Sequence, residues 1–168
     1  MRSEKEVKKF NFIILATIIL VLFWMGFIFN MSSKDGEKSL NISGQVIEYV
    51  ISKIPQLKDE PQEVKENIIL KLQFIVRKGA HFTAYMILGI VVSLLLLKFK
   101  NIKKRYLLSW EICILYAISD ELHQLFVPGR LCEIRDVLID SLGSFIGILL
   151  VIVFIRIFEH TKRKAENK

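Results

Sequence analysis

The chain is organised around Ser119-Asp-Glu-Leu-His-Gln-Leu-Phe-Val-Pro-Gly-Arg130. It sets two acids, a histidine, a glutamine and an arginine between strongly apolar runs, and Arg135, Asp136 and Asp140 follow closely. Read as one helix over Tyr106–Val127, the segment puts Tyr116, Asp120, His123 and Gln124 on a single face. Glu121 falls about 100° round the same helix. Pro128 has no N–H to donate and Gly129 tolerates a reversal, so the pair predicts a helix stop. The next helix opens with Asp136 and Asp140 one turn apart, and Gly143 and Gly147 continue that line. A charge costs about 2.5 kcal/mol or more at a bilayer centre, so ionisable groups framed by such apolar runs are rarely idle.

The apolar residues make up 52% of the 168-residue chain, and they come in blocks rather than dispersed. Phe10–Asn30, Phe82–Leu97, Leu107–Ser119 and Val137–Phe158 are long runs with few charges. A bilayer core about 30 Å thick takes roughly 20 helical residues. The expected fold is therefore all-α: a single polytopic membrane domain with four transmembrane helices at 9–30, 79–97, 106–127 and 137–158. The first run is longer than a signal-peptide core and no small-residue cleavage site follows it, so it reads as a retained span.

The net charge of +7 does not point to nucleic acid, because 14 of the 24 basic residues lie in Arg2–Lys9, Lys98–Arg105 and Arg156–Lys168. Four spans place those three segments on one side, and by the positive-inside rule that side is cytoplasmic. Both termini are then cytoplasmic in the cell membrane, and residues 31–78 and 127–135 face outward. Cys113 inside the third span and Cys132 in the following loop are too far apart for a disulfide.

Residues 31–78 are too long for a structureless connection. Ser32–Gly36 and Asn41–Gly44 read as loops. Val46, Ile47, Val50, Ile51 and Ile54 then recur at helical spacing up to Pro55, and Val64, Ile68, Leu72 and Ile75 do so within Glu63–Arg77. Two amphipathic helices at the outer surface are expected. In the second span, Lys78, His81, Tyr85 and Gly89 form one stripe, with Gly89 admitting a neighbouring helix. That stripe, the Asp120 face and the Asp136–Asp140 line all fall at one depth, which converges them on one outward site and is expected to bring Asp120 within hydrogen-bond distance of His81, Lys78 or Arg130.

Three blocks carry a resemblance. Lys78-x-x-His81-Phe82-x-x-Tyr85-x-x-Leu88-Gly89, Asp120-Glu121-x-His123-Gln124-x-Phe126-x-Pro128-Gly129-Arg130 and Asp136-Val137-x-x-Asp140-x-x-Gly143 resemble the VanZ-like membrane protein family. The resemblance runs over Ile75–Ile152, with Asp140 standing where the family often has Asn. The family is named for a protein conferring teicoplanin resistance, so the resemblance implies a small bacterial envelope protein.

The site residues are Lys78, His81, Tyr85, Asp120, Glu121, His123, Gln124, Arg130, Asp136 and Asp140. Three readings remain open. As a binding site, Lys78, His81 and Arg130 suit a phosphate or carboxylate, and the acids orient them or meet amines and hydroxyls. Lipid-linked cell-wall precursors and glycopeptide antibiotics both present such groups, beside the membrane lipids themselves. As an enzyme, Asp120, His123 and Asp136 supply an acid and a base for hydrolysis or transfer on a lipid head group. As a structural network, the same groups simply bond helix to helix. No cofactor is expected, and a metal bound by His81, Asp120, His123 and Asp136 is disfavoured for want of zinc-site spacing.

Overall fold

The computed structural model describes residues 4–54, 61–99 and 101–166. Arg2, Pro55, Lys100 and Lys168, invoked above, lie outside the described residues. The described chain is all-helical: α1 (Glu4–Ser32), α2 (Gly36–Ile51), α3 (Gln62–Leu95), a 3-10 turn (Leu96–Lys98), α4 (Ile102–Gln124) and α5 (Ile134–Glu166).

Helix α1 is the most apolar and presents Phe12, Leu15, Leu22 and Phe23 to the surroundings while burying Val21 and Ile28. Such a surface suits hydrocarbon. The Trp24 indole N–H donates to the Ala84 carbonyl at 2.8 Å and ties α1 to α3. Tyr116 of α4 likewise donates to the Met25 carbonyl at 2.6 Å. Both bonds give a buried polar tip a partner while the ring packs in the core.

Two boundaries depart from the sequence pattern. Helix α2 begins at Gly36, so Asn41–Gly44 is helical rather than loop. Its start is set by Asp35, whose Oδ1 accepts from the Lys38 backbone N–H at 2.7 Å. That amide, lying at a helix N-terminus, holds the Asp35 carboxyl below the usual carboxylate range. Glu63–Arg77 is not a separate amphipathic helix either. It is the first half of α3, which runs unbroken through the predicted boundary at residue 78. Gly79 is the only residue there that weakens a helix, and one glycine costs roughly 1 kcal/mol, too little to break a long one.

Helices α3 and α5 pack backbone to backbone. A Cβ on Gly89 would lie 2.2 Å from the Ser144 carbonyl oxygen, one on Gly143 would lie 2.4 Å from that of Phe82, and one on Gly147 would lie 2.0 Å from that of Met86. Only hydrogen fits at these three positions. The spacing of Gly143 and Gly147 is the small-xxx-small arrangement that lets membrane helices approach closely.

Helices α1, α3 and α5 are long and apolar enough to cross a bilayer. The expected fourth span, α4, has 23 residues but carries Lys103, Lys104, Arg105, Glu111, Asp120 and Glu121. It keeps Arg105, Ser109, Asp120, Glu121 and Gln124 buried against its neighbours.

Helix α4 ends at Gln124, three residues before the expected Val127, and tight turns close on the His123 and Gln124 carbonyls. Gly129 then adopts φ +71°, the left-handed conformation the Pro-Gly pair predicted. Its carbonyl region abuts Gly36, and the Gly36 N–H donates to the Pro128 carbonyl at 3.0 Å. Gly129→Val is expected to lower stability by at least about 1–2 kcal/mol, the cost of a left-handed non-glycine residue. Leu131→Val, on a 75% exposed side chain, should change it little. Thermal unfolding of the two variants in detergent checks the difference.

Candidate functional site

Close approach of α3 and α5 sets His81 against the second helix. His81 Nδ1 lies 3.8 Å from Asp140 Oδ2. One turn earlier, Lys78 Nζ reaches both carboxylate oxygens of Asp136, and Glu133 Oε2 stands 3.9 Å away. The Lys78 ammonium also lies over the Phe74 ring, 5.3 Å from its centre. The two stripes predicted on these helices therefore do face each other.

Helix α4 contributes Asp120, 2% exposed. It was expected to meet His81, Lys78 or Arg130 within hydrogen-bond distance. Its hydrogen bond comes instead from Ser32 at the end of α1, with Oγ donating to Oδ2 at 2.7 Å. Lys78 is drawn to Asp136, and Arg130 Nε donates to the Lys34 carbonyl at 3.2 Å. One donor atom from each of His81, Asp120 and Asp140 nevertheless lies within 4.8 Å of the other two. The buried Tyr85 hydroxyl sits beside the Asp120 carboxyl.

The remaining predicted residues form a second layer. Glu121 accepts from Gln124 Nε2 at 2.9 Å and from the Glu133 backbone N–H at 3.1 Å. It pins the loop after α4 to the start of α5. His123 stacks on Phe29 with ring centres 4.3 Å apart, and its Nε2 lies 3.1 Å from Ser33 Oγ. Its partners are thus on α1 and the turn beyond, rather than Asp136.

Two spaces adjoin these groups. A pocket of about 500 Å³ opens between α1, α2 and α3. Its walls are mainly apolar, including Trp24, Phe27, Ile28, Val76 and Ile87, and His81, Ser32, Lys34, Arg77 and Arg130 also line it. A cleft of about 80 Å³ lies beside it, among Arg77, Lys78, Arg130, Glu133 and Asp136. Ser32, Lys34 and Arg77 were missed in the sequence reading. Arg77 adjoins Lys78 and could have been found as a second cation at the same level. Ser32 and Lys34 follow an apolar span with no distinguishing pattern.

Three helices long and apolar enough to cross a bilayer, packed around a buried polar cluster, indicate a helical membrane protein. The chain belongs to the VanZ/LLP1 family, whose model matches residues 17–156. No curated protein and no solved structure matches it.

Proposed function

We propose that this protein is a bacterial envelope protein that takes up the anionic head group of a lipid-linked molecule, with cell-wall precursors as the leading ligand class. The observation that carries this reading is the pocket of about 500 Å³, mainly apolar in its lining and bordered by Lys34, Arg77 and Arg130. An amphiphile with a phosphate or pyrophosphate between tail and head presents the complementary pattern. Arg77 and Arg130 suit the phosphate oxygens, since guanidinium donors match them in geometry and charge. Pockets of this volume hold drug-sized ligands or parts of larger ones, which favours a head group over a whole glycopeptide antibiotic. A role in teicoplanin resistance would then follow from handling the precursor.

The test uses purified protein in nanodiscs with radiolabelled lipid-linked wall precursor. Saturable retention is expected, weakened tenfold or more by Arg130→Ala. Absence of saturable retention would sink the binding reading, and preferential capture of labelled teicoplanin would replace it. Release of a labelled product would favour the second reading, a membrane-embedded hydrolase or transferase. That reading is supported by the buried cluster of His81, Asp120 and Asp140, which joins a base to two acids.

The same proposal takes α4 as a fourth span and puts the site on the outer side with both termini cytoplasmic. Cys132 is exposed in the loop before α5, whereas Cys113 is buried. An impermeant maleimide should label intact cells expressing the protein and fail to label its Cys132→Ser variant. Labelling only after permeabilisation would reverse the topology.

A further inference from the structure

We propose that His81, Asp120 and Asp140 form a binding site for one first-row divalent cation, Zn²⁺ or Mn²⁺, clasped between α3, α4 and α5. The inference does not depend on which ligand enters the pocket.

Each of three helices supplies one donor, and the donor atoms lie within 4.8 Å of one another. Two ligands of one tetrahedral Zn²⁺ stand about 3.3–3.6 Å apart, roughly 1.6 times the metal–ligand distance. Closing the set around an ion therefore takes about an ångström of approach between donors, within the reach of side-chain rotations.

The carboxylates point to such an ion independently. Asp120 and Asp140 are 2% and 1% exposed. Asp120 Oδ1 and both oxygens of Asp140 have no hydrogen-bond partner. Buried carboxylate oxygens are ordinarily paired. The nearby cationic side chains are directed elsewhere: Lys78 to Asp136 and Glu133, and Arg130 Nε to the Lys34 carbonyl. Ionised as metal ligands, the two carboxylates bring a charge of −2, which one divalent ion cancels.

The donor types narrow its identity. Imidazole disfavours Ca²⁺ and Mg²⁺, which take oxygen ligands, and a mixed nitrogen and carboxylate set suits Zn²⁺ or Mn²⁺. Ser32 Oγ, donating to Asp120 Oδ2 at 2.7 Å, acts as the orienting outer partner that ligating carboxylates commonly have. Three protein donors leave coordination positions for water or for a ligand oxygen. His81 is also part of the pocket lining, so those positions adjoin the larger space.

The full chain, purified in detergent and stripped with a chelator, is loaded with Zn²⁺ or Mn²⁺ and then dialysed. Metal content, chelator competition and thermal unfolding are measured. One ion per chain and a raised Tm are expected. Asp140→Asn and His81→Gln should each weaken binding more than about 100-fold, since even outer-partner changes cost 10- to 100-fold. His160→Gln, exposed on the far part of α5, should leave it unchanged. A second measurement needs no variant: the Mn²⁺-loaded wild-type protein should show electron-spin coupling to a histidine nitrogen. Loss of all metal on dialysis, binding indifferent to the two site variants, or Mn²⁺ without nitrogen coupling would each overturn the site. In the first case, a proton shared between the two carboxylates would take the cation's place.

Discussion

Gly147→Ala is expected to unfold the α3–α5 pairing and to abolish the site with it. The added methyl carbon would stand 2.0 Å from the Met86 carbonyl oxygen and 3.2 Å from the Ile90 nitrogen. Both are backbone atoms of a helix, so no side-chain rotation relieves the clash and the helices must separate. Overpacking of a core typically costs about 1–3 kcal/mol, and a contact between two main chains belongs at the upper end or beyond. Separation also pulls His81 from Asp140, because the same glycine line holds both. Gly26→Ala is the control, since nothing lies within 4 Å of the added atom. Alanine is intrinsically the better helix former by roughly 1 kcal/mol, so that variant should be neutral or slightly more stable. Thermal unfolding in detergent, read beside retention of labelled precursor, checks the pair. Equal stability of the two variants would mean that the helices are farther apart than described.

Lys78→Ala carries the second large effect. The Lys78 side chain is 10% exposed and that of Asp136 16%, so removing the ammonium strands an acid in a desolvated place. Breaking a buried pair in this way costs about 3–5 kcal/mol. Replacing both partners at once, as Lys78→Met with Asp136→Leu, removes the stranded charge and should restore most of the loss. A double-mutant cycle measures the difference. If the single and double variants unfold alike, the pair contributes only packing.

The pairing pattern marks where sequence reasoning stopped. Periodicity placed Lys78, His81 and Tyr85 on one face and Asp136 and Asp140 on another, and both faces meet. It did not say which acid meets which cation. One residue turns a helix by about 100°, so small rotations between helices exchange the partners of neighbouring groups. Asp120 was matched to His81, Lys78 or Arg130 because they were the nearest candidates to hold its charge. In the fold its hydrogen bond comes from Ser32, a residue that looks like an ordinary span end. His123 shares a face with Asp120 in the sequence and still turns to Phe29 and Ser33. The long apolar runs made α1 and α5 plain. The continuity of α3 was hidden by the change from amphipathic to uniformly apolar spacing at Lys78, although no proline interrupts Gln62–Leu95.

That unbroken α3 has a mechanical meaning. Its 34 residues extend about 51 Å, against a hydrocarbon thickness of about 30 Å. Some 20 Å of the same rod must therefore tilt or project beyond the lipid, and α2 rests on that part through Gln73, whose Nε2 donates to the Leu40 carbonyl at 3.4 Å. No hinge separates this arm from Lys78 and His81. A load applied to the arm reaches the polar cluster as leverage through a stiff shaft.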